Sequence, residues 1–167
     1  MKRVLTVPKK TSSKFKIQGS KKRGRFVIHE HWARRLHFDL RLEIGGTGKS
    51  WAVPKGPSMD SDEKRLAVAV PDHSLRYFKF KGTLEEDTYG AGEVRIWDEG
   101  KYETMVDLEI QYEAGKIVFE FFGKKVRGEL TLVRMSGKGN NWLLIKRENK
   151  FADVDWELKT VMSGKRE

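Results

Sequence analysis

Two histidines and an aspartate lie close together early in this 167-residue chain: His31, His37 and Asp39. Imidazole nitrogen and carboxylate oxygen form a donor set that Mn2+, Fe2+ or Zn2+ accepts, and three protein ligands leave coordination positions for water and a substrate oxygen. His37 and Asp39 are two residues apart, so in an extended strand both project from one face. A turn through Trp32–Arg35 can return His31 beside them. His29 shares the strand parity of His31 and suits either the same centre or a surface position. The opposing reading is simple. From His37 onward, His37, Asp39, Arg41 and Glu43 alternate with Phe38, Leu40, Leu42 and Ile44, and a strand with one face in water shows that pattern without binding anything.

Cations follow the cluster. Arg41 is one strand step beyond Asp39, and its rigid fork of donors suits phosphate oxygens. Lys55 and Arg65 come in or near loops, where each alone reads as solvated and only a convergent set would hold a phosphate. His73, after Pro71-Asp72, can supply a proton, a hydrogen bond or a further ligand.

The elements that must position these groups read as strands: Arg25–His31, His37–Ile44, Lys49–Val53, Arg65–Val70, Glu93–Trp97, Lys116–Phe122, Glu129–Arg134 and Trp142–Lys146. Turn signals separate them at Gly45-Gly46, Pro54 to Asp62, Gly90-Ala91-Gly92, Gly123 and Ser136–Asn140. Many short strands with turns between them predict a mainly β, compact closed barrel, which also removes exposed sheet edges. The expected organisation is a partly flexible basic arm over 1–25, the barrel domain over 26–150, and a tail or short helix over 151–167.

The formal net charge is +10, and residues 1–25 carry ten Lys or Arg and no acid. The remaining 24 basic and 24 acidic residues balance. Such an arm can neutralise phosphates and steer a polyanion, with Lys21, Lys22, Arg23 and Arg25 nearest the body. It also reads as a solubilising tail. There is no cysteine, so thiolate chemistry and disulfides are excluded. No apolar run suits a signal sequence or a membrane span. The expectation is a cytoplasmic monomer without membrane contact. Trp32 and Trp51 suit core packing better than base stacking.

The chain resembles the 3′-phosphoesterase domain found in bacterial ATP-dependent DNA ligase D, the ligase of non-homologous end joining, and in stand-alone archaeal and bacterial relatives. The resemblance is carried by Arg25–Ile28 leading to His31-Trp32-Ala33-Arg34-Arg35-Leu36-His37-Phe38-Asp39-Leu40-Arg41-Leu42-Glu43, then by Lys49-Ser50-Trp51-Ala52-Val53-Pro54-Lys55-Gly56-Pro57-Ser58. Lys64–Val68, Asp72-His73 with Tyr77, Tyr89–Gly92, Val94 with Trp97-Asp98, and Asn141–Lys146 extend it over most of 25–147. It implies a β-barrel with small surface helices and a crescent-shaped groove. It implies a Mn2+-dependent enzyme, with Co2+ or Zn2+ as other metals, that removes 3′-terminal ribonucleosides and 3′-phosphates to leave a 3′-hydroxyl for DNA repair. By the same resemblance His31, His37 and Asp39 are the metal ligands. Arg41, Lys55, Arg65, His73 and Tyr77 surround the phosphate, and Glu43 supports the site. The partner is a primer-template or duplex 3′ end, with a separate ligase and polymerase.

The chain departs from the family pattern in three places. Ligase-fused members often carry an acidic segment upstream of the first strand, whereas residues 1–25 have no acid. Gln is commoner than His at position 29, and an acid often stands where this chain has Pro71. These changes bear on the balance of diesterase and monoesterase activity. Two other readings are an Fe(II) oxygenase built on His37, Asp39 and His73, and a non-catalytic nucleic-acid-binding module.

Overall fold

The computed structural model describes residues 21–84, 91–137 and 139–162. The expectations placed on 1–20, on Tyr89-Gly90, on Lys138 and on 163–167 lie outside them. Nine strands run in chain order: β1 Lys22–Trp32, β2 Leu36–Ile44, β3 Thr47–Val53, β4 Lys64–His73, β5 Gly82–Leu84, β6 Gly92–Thr104, β7 Lys116–Phe122, β8 Arg127–Arg134 and β9 Asn141–Lys146. One helix, α1 Leu108–Ala114, and a 3-10 turn, Leu75–Lys79, complete the regular structure of the described residues.

All pairings are antiparallel. The order β1-β2-β3-β4-β9-β8-β7-β6 closes through pairing of β1 with β6, and β5 adds a short strand to the far edge of β6. This is the closed barrel that the alternation predicts. Each expected strand appears, and three boundaries move by three residues or more. β1 begins at Lys22, inside the basic stretch. β6 runs well past Trp97 to Thr104, with a register shift opposite Ile28/His29. β4 continues through Pro71 to His73. The Gly45-Gly46 turn forms as expected, with φ of 61° and 83°, a conformation that side chains with a Cβ rarely adopt.

The barrel interior takes the apolar half of each alternation. Phe26 and Ile28 from β1, Phe38, Leu40 and Leu42 from β2, and Trp51 from β3 meet Phe119, Phe121, Leu130, Leu132 and Trp142 from the opposite wall. Helix α1 closes one end. Asp107 caps it by accepting from Glu109 N, Leu108 enters the core, and Tyr112 stacks on Trp142. Residues 151–162 cover the other end and contain no helix. Trp156 and Leu158 pack on the core there, and the Trp97 indole donates to Lys159 O at 2.7 Å. Trp51 is fully buried and Trp32 half-buried, with its indole donating to Glu30 at 2.7 Å.

No described helix is long and apolar enough to cross a membrane.

Candidate metal centre

With Phe38, Leu40 and Leu42 committed to the interior, period-two geometry sends His37, Asp39 and Arg41 to the outer wall. Register then assembles the cluster. His31 on β1 pairs with His37 on β2, His29 pairs with Asp39, and Arg41 pairs with Ser50 on β3. The turn over residues 33–35 returns His31 to His37 as the spacing predicts. An outer wall would normally face water, yet His29, Asp39 and Arg41 are buried. The cover is the chain after β4, whose 3-10 turn folds back over the wall. Tyr77 lies over the Arg41 guanidinium at 4.9 Å, contacts the His29 and His73 rings, and stacks on Phe80.

Asp39 is the centre of the metal-competent group. Its Oδ2 is 3.3 Å from His31 Nδ1, and its Oδ1 is 3.3 Å from His37 Nε2. One donor atom from each of the three residues lies within 4.8 Å of the others, and they are the only such group among the described residues. Ligands about 2.1 Å from one ion lie roughly 3–3.5 Å apart when adjacent, so each Asp39–histidine pair, at 3.3 Å, has the spacing of two ligands on a shared divalent ion. Burial works to raise the Asp39 pKa. Hydrogen bonds from His31 and His37, with the charge of Arg41, outweigh it and hold the carboxyl well below the usual range. Burial also opposes a charge on His37, but its bond to Asp39 prevails and raises its pKa.

Arg41 joins this group to the rest of the wall. Nη2 is 3.4 Å from Asp39 Oδ2, Nε donates to His29 Nδ1 at 3.3 Å, and Nη1 donates to Ser50 Oγ at 2.8 Å and to His73 Nδ1 at 3.0 Å. Its donors are committed to protein groups, so it organises the wall in addition to supplying charge. His29 donates through Nε2 to Phe80 O at 3.0 Å, which leaves Nδ1 to accept from Arg41. Burial first, then the Arg41 charge, pushes the His29 pKa down to about 4, so the ring is neutral at neutral pH. Burial and Arg41 also lower the His73 pKa, and burial raises that of Tyr77, which stays a phenol.

The other expected residues fall elsewhere. Lys55 is exposed, two residues past Val53, which pairs with Phe38, and so stands at the His37 end of the wall. Arg65 shares strand parity with the buried core residue Ala67 and pairs with Glu63 at 3.1 Å. Glu43 accepts from Arg25 N at 2.9 Å and braces the start of β1, two strand steps from Asp39. Lys21 and Arg23 pair with Glu103 at 3.2 and 2.9 Å, and Lys22 is exposed. His73 stands across Arg41 from the metal-competent group, so the triad of His37, Asp39 and His73 does not assemble. Ser50 is a site residue that sequence reasoning misses. The only signal for it is its register opposite Arg41 on a neighbouring strand.

A family model for the DNA Ligase D 3′-phosphoesterase domain matches residues 29–134. The multifunctional non-homologous end joining protein LigD of Pseudomonas aeruginosa is 44% identical over 127 residues, covering 75% of this chain and 15% of that protein. The protein of the same name from Mycolicibacterium smegmatis is 45% identical over 125 residues, covering 71% of this chain and 16% of that protein. The LigD DNA repair protein of Mycobacterium tuberculosis is 38% identical over 125 residues, with coverages of 75% and 16%. The chain therefore spans about a sixth of the length of these relatives. The matched segment contains the His31, His37 and Asp39 group with Arg41, Ser50, His73 and Tyr77, and the chain belongs to the DNA Ligase D 3′-phosphoesterase domain family.

Proposed function

We propose that this protein is a Mn2+-dependent phosphoesterase that processes nucleic-acid 3′ ends, removing a terminal ribonucleoside or a 3′-phosphate to leave a 3′-hydroxyl for end joining. The observation that carries the reading is the convergence of His31, His37 and Asp39 within 4.8 Å beside the Arg41–His73 pair. His31, His37 and Asp39 would hold the ion. A bound divalent ion supplies Lewis-acid polarisation of a phosphoryl oxygen and offsets charge in the transition state.

The protein groups then have separate tasks. Asp39 stays ionised and keeps both imidazoles turned toward one point. Arg41 holds Asp39 and His73 at fixed separation and places a positive charge behind the phosphate. His73 accepts from Arg41 through Nδ1, so its Nε2 carries the proton and serves as donor to a phosphate or leaving oxygen. Tyr77, kept protonated by burial, is a second neutral donor on the same wall. Lys55 stands where it can meet the flanking phosphate, and the basic arm adds sequence-independent attraction. The partner is a primer-template or duplex 3′ end, and ligation and polymerisation fall to other domains or proteins.

The test uses labelled primer-templates ending in one ribonucleotide or in a 3′-phosphate, with Mn2+ or with EDTA. The expected result is shortening of the first and dephosphorylation of the second, both only with the metal. Binding without product on either end across Mn2+, Co2+ and Zn2+ would favour the non-catalytic reading.

A further inference from the structure

Glu30 is fully buried on the face of β1 opposite His29 and His31, where the phosphoesterase reading gives it no task. Its carboxylate accepts three hydrogen bonds: from Trp32 Nε1 at 2.7 Å, Val161 N at 2.7 Å and Met162 N at 3.0 Å. Two of the donors belong to the C-terminal segment, more than 130 residues away in sequence. A buried carboxylate left without such donors is costly, so Glu30 and this segment depend on each other.

The same segment reaches the second ligand-bearing strand. Phe38 lies between His37 and Asp39 and faces the interior. A Cβ at Gly56 would meet Leu158 Cδ1 at 2.9 Å and Phe38 Cδ1 at 3.0 Å, so Leu158 and Phe38 converge on that glycine. Phe38 packs edge-on against Trp97, and Trp97 against Trp156, at centroid distances of 5.7 and 6.4 Å. Trp156 Nε1 donates to Pro57 O at 3.2 Å. The C-terminal segment thus contacts the residue between His29 and His31, and it closes over the residue between His37 and Asp39.

We propose that Glu30 is a positioning residue, and that with Leu158 it makes residues 156–162 the backing of the metal centre. The segment braces the inner face of the paired β1–β2 ladder, where Glu30 stands opposite Phe38, while the ligands project outside. This proposal rests on the metal reading above. Glu30 touches neither ligand directly, and acts through the backbone of β1.

The test is Mn2+ binding to the full chain, followed by the electron paramagnetic resonance of the free ion. It compares native protein with Glu30→Gln, Leu158→Ala and, as a control, Leu108→Ala at the opposite end of the barrel. Glu30→Gln keeps the shape but turns one acceptor into a donor facing other donors. The expected result is Mn2+ affinity about ten-fold weaker in Glu30→Gln and Leu158→Ala. Leu108→Ala should lower thermal stability with native Mn2+ affinity.

Amide hydrogen exchange on the metal-free proteins is the second arm. Glu30→Gln should speed exchange at Val161 and Met162 together with 29–32 and 37–40. If exchange rises only at Val161 and Met162, or if Mn2+ affinity falls equally in Leu108→Ala, the proposal is overturned. Failure of native protein to bind Mn2+ would defeat the metal reading instead, and the exchange arm would still decide whether the segment backs β1 and β2.

Discussion

Arg41 Nη1 lies 3.0 Å from Nδ1 of His73, and a guanidinium can only donate, so this contact makes Nδ1 an acceptor. Pro71 O, 3.3 Å from the same nitrogen, would need it to donate. The shorter, charge-assisted contact decides the tautomer, and it leaves the Nε2 proton for substrate. His73→Ala should therefore lower kcat about 100-fold or more and leave Mn2+ affinity unchanged, because His73 is outside the ligand group. Parallel kinetics and Mn2+ titration check this. An equal loss in both would place His73 among the ligands.

Arg41→Lys should fail despite keeping the charge. One ammonium cannot span His29, Asp39, Ser50 and His73, all of which Arg41 reaches. A lysine that stays beside Asp39 leaves His29, Ser50 and His73 without their buried donor. The expected cost is about 3 kcal/mol, read as a fall of roughly 10 °C in thermal midpoint. Activity should fall with it at temperatures where the variant remains folded.

His29 gives a pH dependence with a definite sign. Its folded pKa is pushed down to about 4, by burial and then by Arg41, while the unfolded chain titrates near 6.5. Above about 6.5 both states are neutral there and the native state loses nothing. As pH falls toward 4, the unfolded state binds the proton first, and stability drops by on the order of 3 kcal/mol before levelling. Gln at position 29, the residue that the family resemblance makes commoner, can accept from Arg41 and donate to Phe80 O without titrating. Denaturant midpoints between pH 7 and 4 should therefore fall less in His29→Gln than in native protein.

The basic residues next to the barrel should differ in what they do for nucleic acid. Lys21 and Arg23 already face Glu103, and Arg25 faces Glu43. Replacing Lys21 and Arg23 together with Gln should change the slope of log affinity against log salt by less than about one. Lys55→Gln, at the His37 end of the wall, should weaken binding of a 3′-phosphate end more than of a 3′-hydroxyl end. Affinities measured at several salt concentrations separate the two cases.

The barrel is legible in the sequence because the alternation of β2 is strict and glycine or proline marks the turns after β2, β3, β7 and β8. What composition conceals are long-range partners. Lys22 to Arg25 read as part of a free arm, since nothing local marks Glu103 and Glu43 as the acids that let β1 start there. Glu43 shares the parity of Asp39, but parity specifies only a face, and the position along the strand gives it Arg25 instead of the site. Arg65 has the parity of the core residue Ala67, and resemblance alone places it near the phosphate. Spacing marks His31, His37 and Asp39 as a same-face cluster because a single turn joins their strands, and the resemblance is what reads that cluster as a metal site instead of a solvated strand face. Ser50, the Phe80 carbonyl and the backing by Val161 and Met162 cannot be read from spacing, because each arrives from a remote segment with no signal of its own.

The most direct measurement follows a labelled primer-template ending in one ribonucleotide as Mn2+ is titrated into native protein and into His37→Ala, with the 3′ end of every product identified. The account predicts saturable, Mn2+-dependent shortening to a 3′-hydroxyl by the native chain, and none by His37→Ala, which remains folded. Full shortening by His37→Ala, or by native protein in EDTA, would contradict it.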